Sequence, residues 1–263
     1  MRTMLITLTG GEIFLRKDLE QIFKMLADYK FGVSIQTTAM HITPEWAEKL
    51  KFYCVSYVFV SLYSHIPDHH DELTKRKGSF EKTLQGIQNI IQTGIKTSIS
   101  CLVTKVNIND LEGIESLAHE LKIPISFSHE IKEHELKEKD YFSLEISAEE
   151  KRKVEIFKYR HQKKQLIQPL ISSARICGAG NSSLRFEANG DVLPCVTWRA
   201  SCGNLTQNSI TDIWYQNEYL KEIREKRVKD LILFENTKAD SDLHHCPGYA
   251  FEKTGDYLKV LPK

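Results

Sequence analysis

Between Met4 and Ser128 a short β-like run gives way to a segment of helical spacing again and again. This period constrains the fold more than any other feature of the chain. Leu5–Leu8 reads as a strand, followed by an amphipathic helix over Arg16–Tyr29 with Leu19, Ile22, Phe23 and Leu26 on one face. Val33–Gln36 is the next strand, and Thr43-Pro44 opens a helix with proline at its first position, where a missing N–H costs nothing. Tyr57–Leu62 is aromatic and β-branched, hence a strand. Ser79 is expected to cap a helix that reaches Gln92 and ends at Gly94. Lys96–Val103 follows as a strand, Asn109 and Glu112 form a capping box for a helix to Leu121, and Pro124–Ser128 is a fifth strand. Short connections between alternating elements imply a parallel sheet with helices outside it, and such folds bind ligands at the C-terminal ends of their strands.

Residues 129–146 are charged and irregular and read as a loop, after which Ser147 and Glu150 cap a helix toward Gln165. After Ile176 the character changes. Ser183–Leu193 reads as a hairpin around Asn189-Gly190, the pair that a type I′ turn prefers. Ser209 with Asp212 starts one helix through Trp214, Leu220, Ile223 and Arg227. The last thirty or so residues have little periodicity, which suits a small domain held by a metal site.

Thirty-six Lys and Arg against 35 Asp and Glu leave no electrostatic footprint for nucleic acid or an anionic membrane. No apolar run approaches the roughly 18 residues of a membrane span, and the N-terminus has no signal-peptide cleavage pattern. Six cysteines then read as thiols or metal ligands rather than disulfides, with a cytoplasmic location expected.

Several residues stand where chemistry would. Gly10 and Gly11 remove side chains directly after a strand, and Glu12 offers a carboxylate to a cation; the same residues also suit a plain tight turn. Thr37 and Ser61 likewise follow or end strands. Cys177, Cys195, Cys202 and Cys246 each lie beside Gly or Pro turns, and the hairpin folds Cys195 back toward Cys177. Four thiolates suit a [4Fe–4S] cluster or zinc, which ligand type alone does not separate. Cys54 and Cys101 read as packed thiols, and Asp242, His244 and His245 as solvated loop residues.

Leu8–Asp18 (LTGGEIFLRKD) resembles the radical SAM family, with Ile13 where that family usually has Pro. Val33–Thr43 is similar to its next strand and turn, with Thr38 where Asn is usual. Val58–Tyr63, His70-Asp71, Leu73-Thr74 and Gly78–Thr83 (GSFEKT) resemble the third unit of peptide-modifying members. The resemblance implies that Gly10, Gly11 and Glu12 bind the amino group of S-adenosylmethionine, with Thr37 beside them and Ser61 on the ribose. The C-x12-G-x4-C spacing of Cys177, Gly190 and Cys195 resembles a SPASM or twitch auxiliary iron–sulfur domain. The family's C-x2-C-x5-C group is absent, which implies one auxiliary [4Fe–4S] cluster on Cys177, Cys195, Cys202 and Cys246.

The family's catalytic C-x3-C-x2-C run is absent as well. The expected fold is therefore an incomplete (β/α)6 partial TIM barrel, residues 1–170, lacking its first βα unit and that loop. A SPASM/twitch-like cluster domain over 171–263 completes it. The expected function is a peptide maturase using a 5′-deoxyadenosyl radical, inactive alone because its S-adenosylmethionine site is incomplete. The partners would be a precursor peptide or small protein, and a chain supplying the missing N-terminal part. The alternative is a non-catalytic iron–sulfur or zinc accessory module.

Overall fold

The computed structural model describes residues 4–131, 143–161, 172–232 and 245–260. The chain divides into two units, Arg2–Lys163 and Lys164–Lys263. The first runs β1 (Leu5–Leu8), α1 (Leu19–Asp28), β2 (Gly32–Thr37), α2 (Pro44–Phe52), β3 (Val55–Ser61), α3 (Pro67–Thr74), α4 (Ser79–Gln92), β4 (Lys96–Leu102), α5 (Leu111–Glu120), β5 (Ile125–Ser128) and α6 (Ala148–His161). The five strands form one sheet in the order β1-β2-β3-β4-β5, every pair parallel, so the class is α/β. Val33, Ile35, Val58, Val60 and Ile99 are fully buried on the central strands, against Phe23, Leu50, Ile87, Ile90 and Ile114 from the helices. Each such side chain contributes roughly 1.5–3 kcal/mol by leaving water.

Helix starts follow the sequence in some places and not in others. Thr43 accepts from the Trp46 N–H at 3.2 Å with Pro44 next, as expected. Ser147 and Glu150 close a reciprocal capping box at 2.7 and 3.3 Å. Ser79, however, is not the cap of α4. Gly78 leads in at φ 76°, and the Asp71 carboxylate reaches across from α3 to accept from the Phe80 N–H at 3.0 Å and the Ser79 hydroxyl at 2.7 Å. Asn109 and Glu112 form no box either. Asn107 closes that turn instead, its Oδ1 accepting from the Thr104 N–H at 2.7 Å.

Four of the first unit's helices end on a left-handed residue that is not glycine: Lys30, Cys54, Lys75 and Lys122. Lys122 sits in a Schellman end, its N–H on His119 O at 3.0 Å and the Ile123 N–H on Ala118 O at 3.1 Å. Left-handed φ brings a Cβ against backbone that glycine lacks. Lys122→Gly should therefore stabilise the unit by about 0.5–1 kcal/mol. A lower urea midpoint for the variant would rule out that cap geometry.

In the second unit β6 (Arg185–Phe186) and β7 (Val192–Leu193) pair antiparallel, followed by α7 (Ile210–Gln216), α8 (Glu218–Glu225) and α9 (Pro247–Thr254). The hairpin turn is not type I′. Gly190 N–H donates to Glu187 O at 3.0 Å and Glu187 N–H to Asp191 O at 2.9 Å, and only Gly190 takes positive φ, at 91°. That is a three-residue loop in which glycine alone supplies the left-handed step. The helix expected from Ser209 to Arg227 breaks at Asn217, whose Oδ1 accepts from the Leu220 N–H at 2.9 Å while Nδ2 donates to Cys202 O at 2.8 Å. The core gathers on Trp198, whose indole N–H donates to the Tyr219 hydroxyl at 2.9 Å and whose ring lies 4.7 Å from that of Tyr257.

Candidate functional site

Parallel register places the strand ends of β1, β2 and β3 along one edge of the sheet. Gly10 and Gly11 follow β1 there, both exposed. Neither takes left-handed φ, and an added Cβ would meet nothing within 4 Å at either. Nothing inside the fold demands glycine at these positions.

The carboxylate of Glu12 crosses to the end of β2. It accepts from Thr37 Oγ1 at 2.8 and 3.0 Å, from the Thr38 N–H at 2.8 Å and from the Phe14 N–H at 3.2 Å, with Thr38 Oγ1 as a further donor. Both oxygens are engaged, so Glu12 clamps two strand-end turns together. Thr37 also accepts from the Ala39 N–H at 3.0 Å, fixing Ala39 at φ 59°. Ser61 ends β3, half-buried and in register with Ser100 of β4. The structure therefore unites Glu12 with Thr37, gives Ser61 the same edge, and adds Thr38, which sequence reading marked only as a departure from Asn.

The cysteines divide by environment. Cys177 and Cys246 are exposed, Cys195 is half-buried, and Cys202 is buried in the second core. Two sulfurs already accept backbone donors, Cys177 from the Ala179 N–H at 3.5 Å and Cys195 from the Trp198 N–H at 3.3 Å. The three chain segments meet: Gly180 N–H donates to Pro194 O at 3.3 Å, and a Cβ on Gly248 would stand 2.8 Å from Trp198 N. Cys202 differs. Its N–H bonds Val192 O at 2.7 Å, its thiol turns to Ala200 O, and burial pushes that thiol up to about 11. Among the described residues no three His, Cys, Asp or Glu side chains are gathered as a metal ion would need. Of the four cysteines expected to share one site, Cys202 is drawn into the core by its pairing with Val192, while Cys177, Cys195 and Cys246 remain exposed or half-buried.

Of the remaining thiols, Cys101 is packed as expected, and burial pushes it up to about 12. Cys54 is exposed at a left-handed helix end, not packed. His245 is half-buried, its Nε2 at 2.8 Å from Tyr257 O, while Asp242 and His244 lie outside the described residues. Among the described residues no helix is long and apolar enough to cross a membrane.

Residues 2–118 match the profile of the Radical SAM superfamily, and residues 177–246, running from Cys177 to Cys246, match that of the SPASM iron–sulfur cluster-binding domain. The chain is a radical SAM/SPASM protein. It is 36% identical over 125 residues to the Fe-coproporphyrin III synthase of Methanosarcina barkeri, which is 47% of this chain and 31% of that protein. It is 23% identical to the mycofactocin maturase MftC of Mycolicibacterium smegmatis over 86% of this chain and 61% of that one. The structure of Streptococcus suis SuiB bound to precursor peptide SuiA superposes with a TM-score of 0.63 at 17% identity, covering 85% of this chain and 56% of that one. The radical SAM/SPASM chain thus spans less than two thirds of each of these three proteins, and the likeness to SuiB shows the fold.

Proposed function

We propose that this radical SAM/SPASM chain binds S-adenosylmethionine at the Gly10–Glu12, Thr37 and Ser61 edge of a partial barrel and serves in peptide maturation. The observation that carries it is the clamp at Glu12: it rigidifies two strand-end turns beside two glycines for which the fold itself has no use. The likeness to the mycofactocin maturase over 86% of the chain supports a peptide substrate. The AdoMet-dependent heme synthase of Methanosarcina barkeri, 25% identical over 98% of the chain, supports a tetrapyrrole as the competing substrate class. When bound, S-adenosylmethionine together with a catalytic cluster supplies one-electron chemistry for hydrogen abstraction. This chain's own residues hold and orient: glycine backbone lets the cofactor approach closely, and Ser61 offers its hydroxyl at the next strand end.

In the second unit the cysteine segments fit an iron–sulfur cluster. Backbone N–H groups already point at two sulfurs, as sulfur-bound clusters use. Cys177, Cys195 and Cys246 are the ligands in this reading, and Cys202 is a packing thiol. Anaerobic reconstitution should give about four irons per chain. Cys177→Ala and Cys195→Ala should each lose most of that iron and Cys202→Ala should keep it. Loss from Cys202→Ala as complete as from the other two would restore the four-thiolate site.

A second reading has one observation behind it: no C-x3-C-x2-C run occurs within these 263 residues. In that reading the chain is an accessory module for a precursor peptide or for a partner that carries the catalytic cluster. Reconstituted with iron, sulfide and dithionite, the 263 residues should form no 5′-deoxyadenosine from S-adenosylmethionine. Product above a protein-free control would refute this.

A further inference from the structure

Arg224, on α8, reaches the place where the cysteine-bearing segments of the second unit cross. Its Nε donates to Gly180 O at 2.8 Å and its Nη1 to Trp214 O, with the guanidinium carbon 4.1 Å from the centre of the Trp214 ring. Gly180 follows Cys177 by three residues, and its own N–H donates to the carbonyl of Pro194, the residue before Cys195. The arginine is therefore held at the junction of the Cys177 and Cys195 segments.

Two of its three nitrogens explain a structural staple. The third does not fit that role: Nη2 is buried and has no hydrogen-bond partner among the described residues. A buried guanidinium donor without an acceptor is costly, and an acceptor is what this position needs. Burial, with Arg175 nearby, holds the Arg224 guanidinium below its ordinary value, and an anion in place of the neutral Cys202 thiol would oppose that. Negative charge placed beside Nη2 would meet both requirements, an acceptor and a counter-charge.

We infer that Arg224 is the counter-charge of the iron–sulfur cluster proposed for this unit, its unused Nη2 donor favouring the reduced cluster. The inference rests on the cluster reading above. Reduction adds one electron, here from dithionite, with no bond made or broken. A fixed cation nearby then makes the more negative state easier to reach, since net charge and hydrogen bonds at sulfur set cluster potentials.

The test is a redox titration of the anaerobically reconstituted chain, followed by electron paramagnetic resonance. Arg224→Gln should bind as much iron as the parent and shift the reduction equilibrium about tenfold toward the oxidised form, a fall of about 59 mV for one electron. Arg224→Lys keeps the charge and should recover more than half of that shift. Arg224→Met, which keeps the stem against Trp214, replaces the glutamine variant should that fail to fold. A neutral variant that titrates with the parent overturns the inference, as does a lysine variant shifted as far as the glutamine one. A parent chain that takes up no iron overturns the cluster reading itself, and this inference with it.

Discussion

Gly86→Ala should cost the first unit about 3 kcal/mol, the reverse of what helix propensity alone predicts. Gly86 lies inside α4, where exchange of glycine for alanine ordinarily stabilises by about 1 kcal/mol. Here a Cβ would stand 2.1 Å from the carbonyl oxygen of Ala39 and 3.0 Å from its Cβ, distances that force the helix and the turn apart. The same helix face is bonded to that turn on either side of Gly86. Thr83 Oγ1 donates to Thr38 O at 2.9 Å, and Asn89 Nδ2 to Ile42 O at 2.8 Å. Ala39 cannot yield easily, because its left-handed φ is held by Thr37 from below. The damage should therefore spread to the Glu12 clamp, with faster amide exchange at Thr38 and Ala39 than a remote destabilisation of equal size would cause. Urea denaturation gives the sign directly. A variant as stable as the parent would mean that α4 does not rest on this turn.

Gly86 also shows where sequence reading stops. The βα period was legible because burial in the middle of a parallel sheet demands apolar positions on β2, β3 and β4. The end strands Leu5–Leu8 and Ile125–Ser128, though largely exposed, keep the same alternation with helices. Helix starts that depend on a neighbour in sequence, as at Thr43 and Ser147, were legible for the same local reason. Asp71 capping α4 from another helix, and Asn217 breaking a helix by reaching Cys202 O, depend on contacts made only after folding.

The site divides along the same line. Gly10, Gly11, Glu12, Thr37 and Ser61 each stand at a strand end, a position that the alternation of elements already implies. What Glu12 does there was not legible, since the choice between holding a ligand and holding Thr37 and Thr38 is made by side-chain reach. Cysteine spacing carried the hairpin and its glycine, yet it treated Cys202 as one more thiol. Its fate is decided by pairing with Val192, a tertiary event that no spacing encodes.

Acid should weaken the first unit well above the range where carboxylates titrate, and His70 is the cause. Its ring is 1% exposed, packed between Tyr63 and Phe80 at centroid distances of 5.6 and 5.9 Å. Nδ1 accepts from the Tyr63 N–H at 3.1 Å, so the ring proton sits on Nε2, which is buried with no partner among the described residues. Burial, only partly offset by Asp71 and Glu81, pushes the imidazole down to about 4. An unfolded histidine takes up its proton near pH 6.5, so between there and about pH 4 the unfolded chain binds more protons than the folded one. Stability is then fully present above 6.5 and falls as the pH drops through this window, by about 3 kcal/mol once His70 is protonated in both states. His129, also lowered by burial, acts in the same direction within this unit, so the comparison has to be made against a variant. His70→Asn places an amide oxygen where Nδ1 accepts and removes the titration. It should be less stable than the parent at pH 7.5 and lose most of the excess slope between pH 6.5 and 4 in urea denaturation. An unchanged slope in the variant would show that His70 is not the group that excludes the proton.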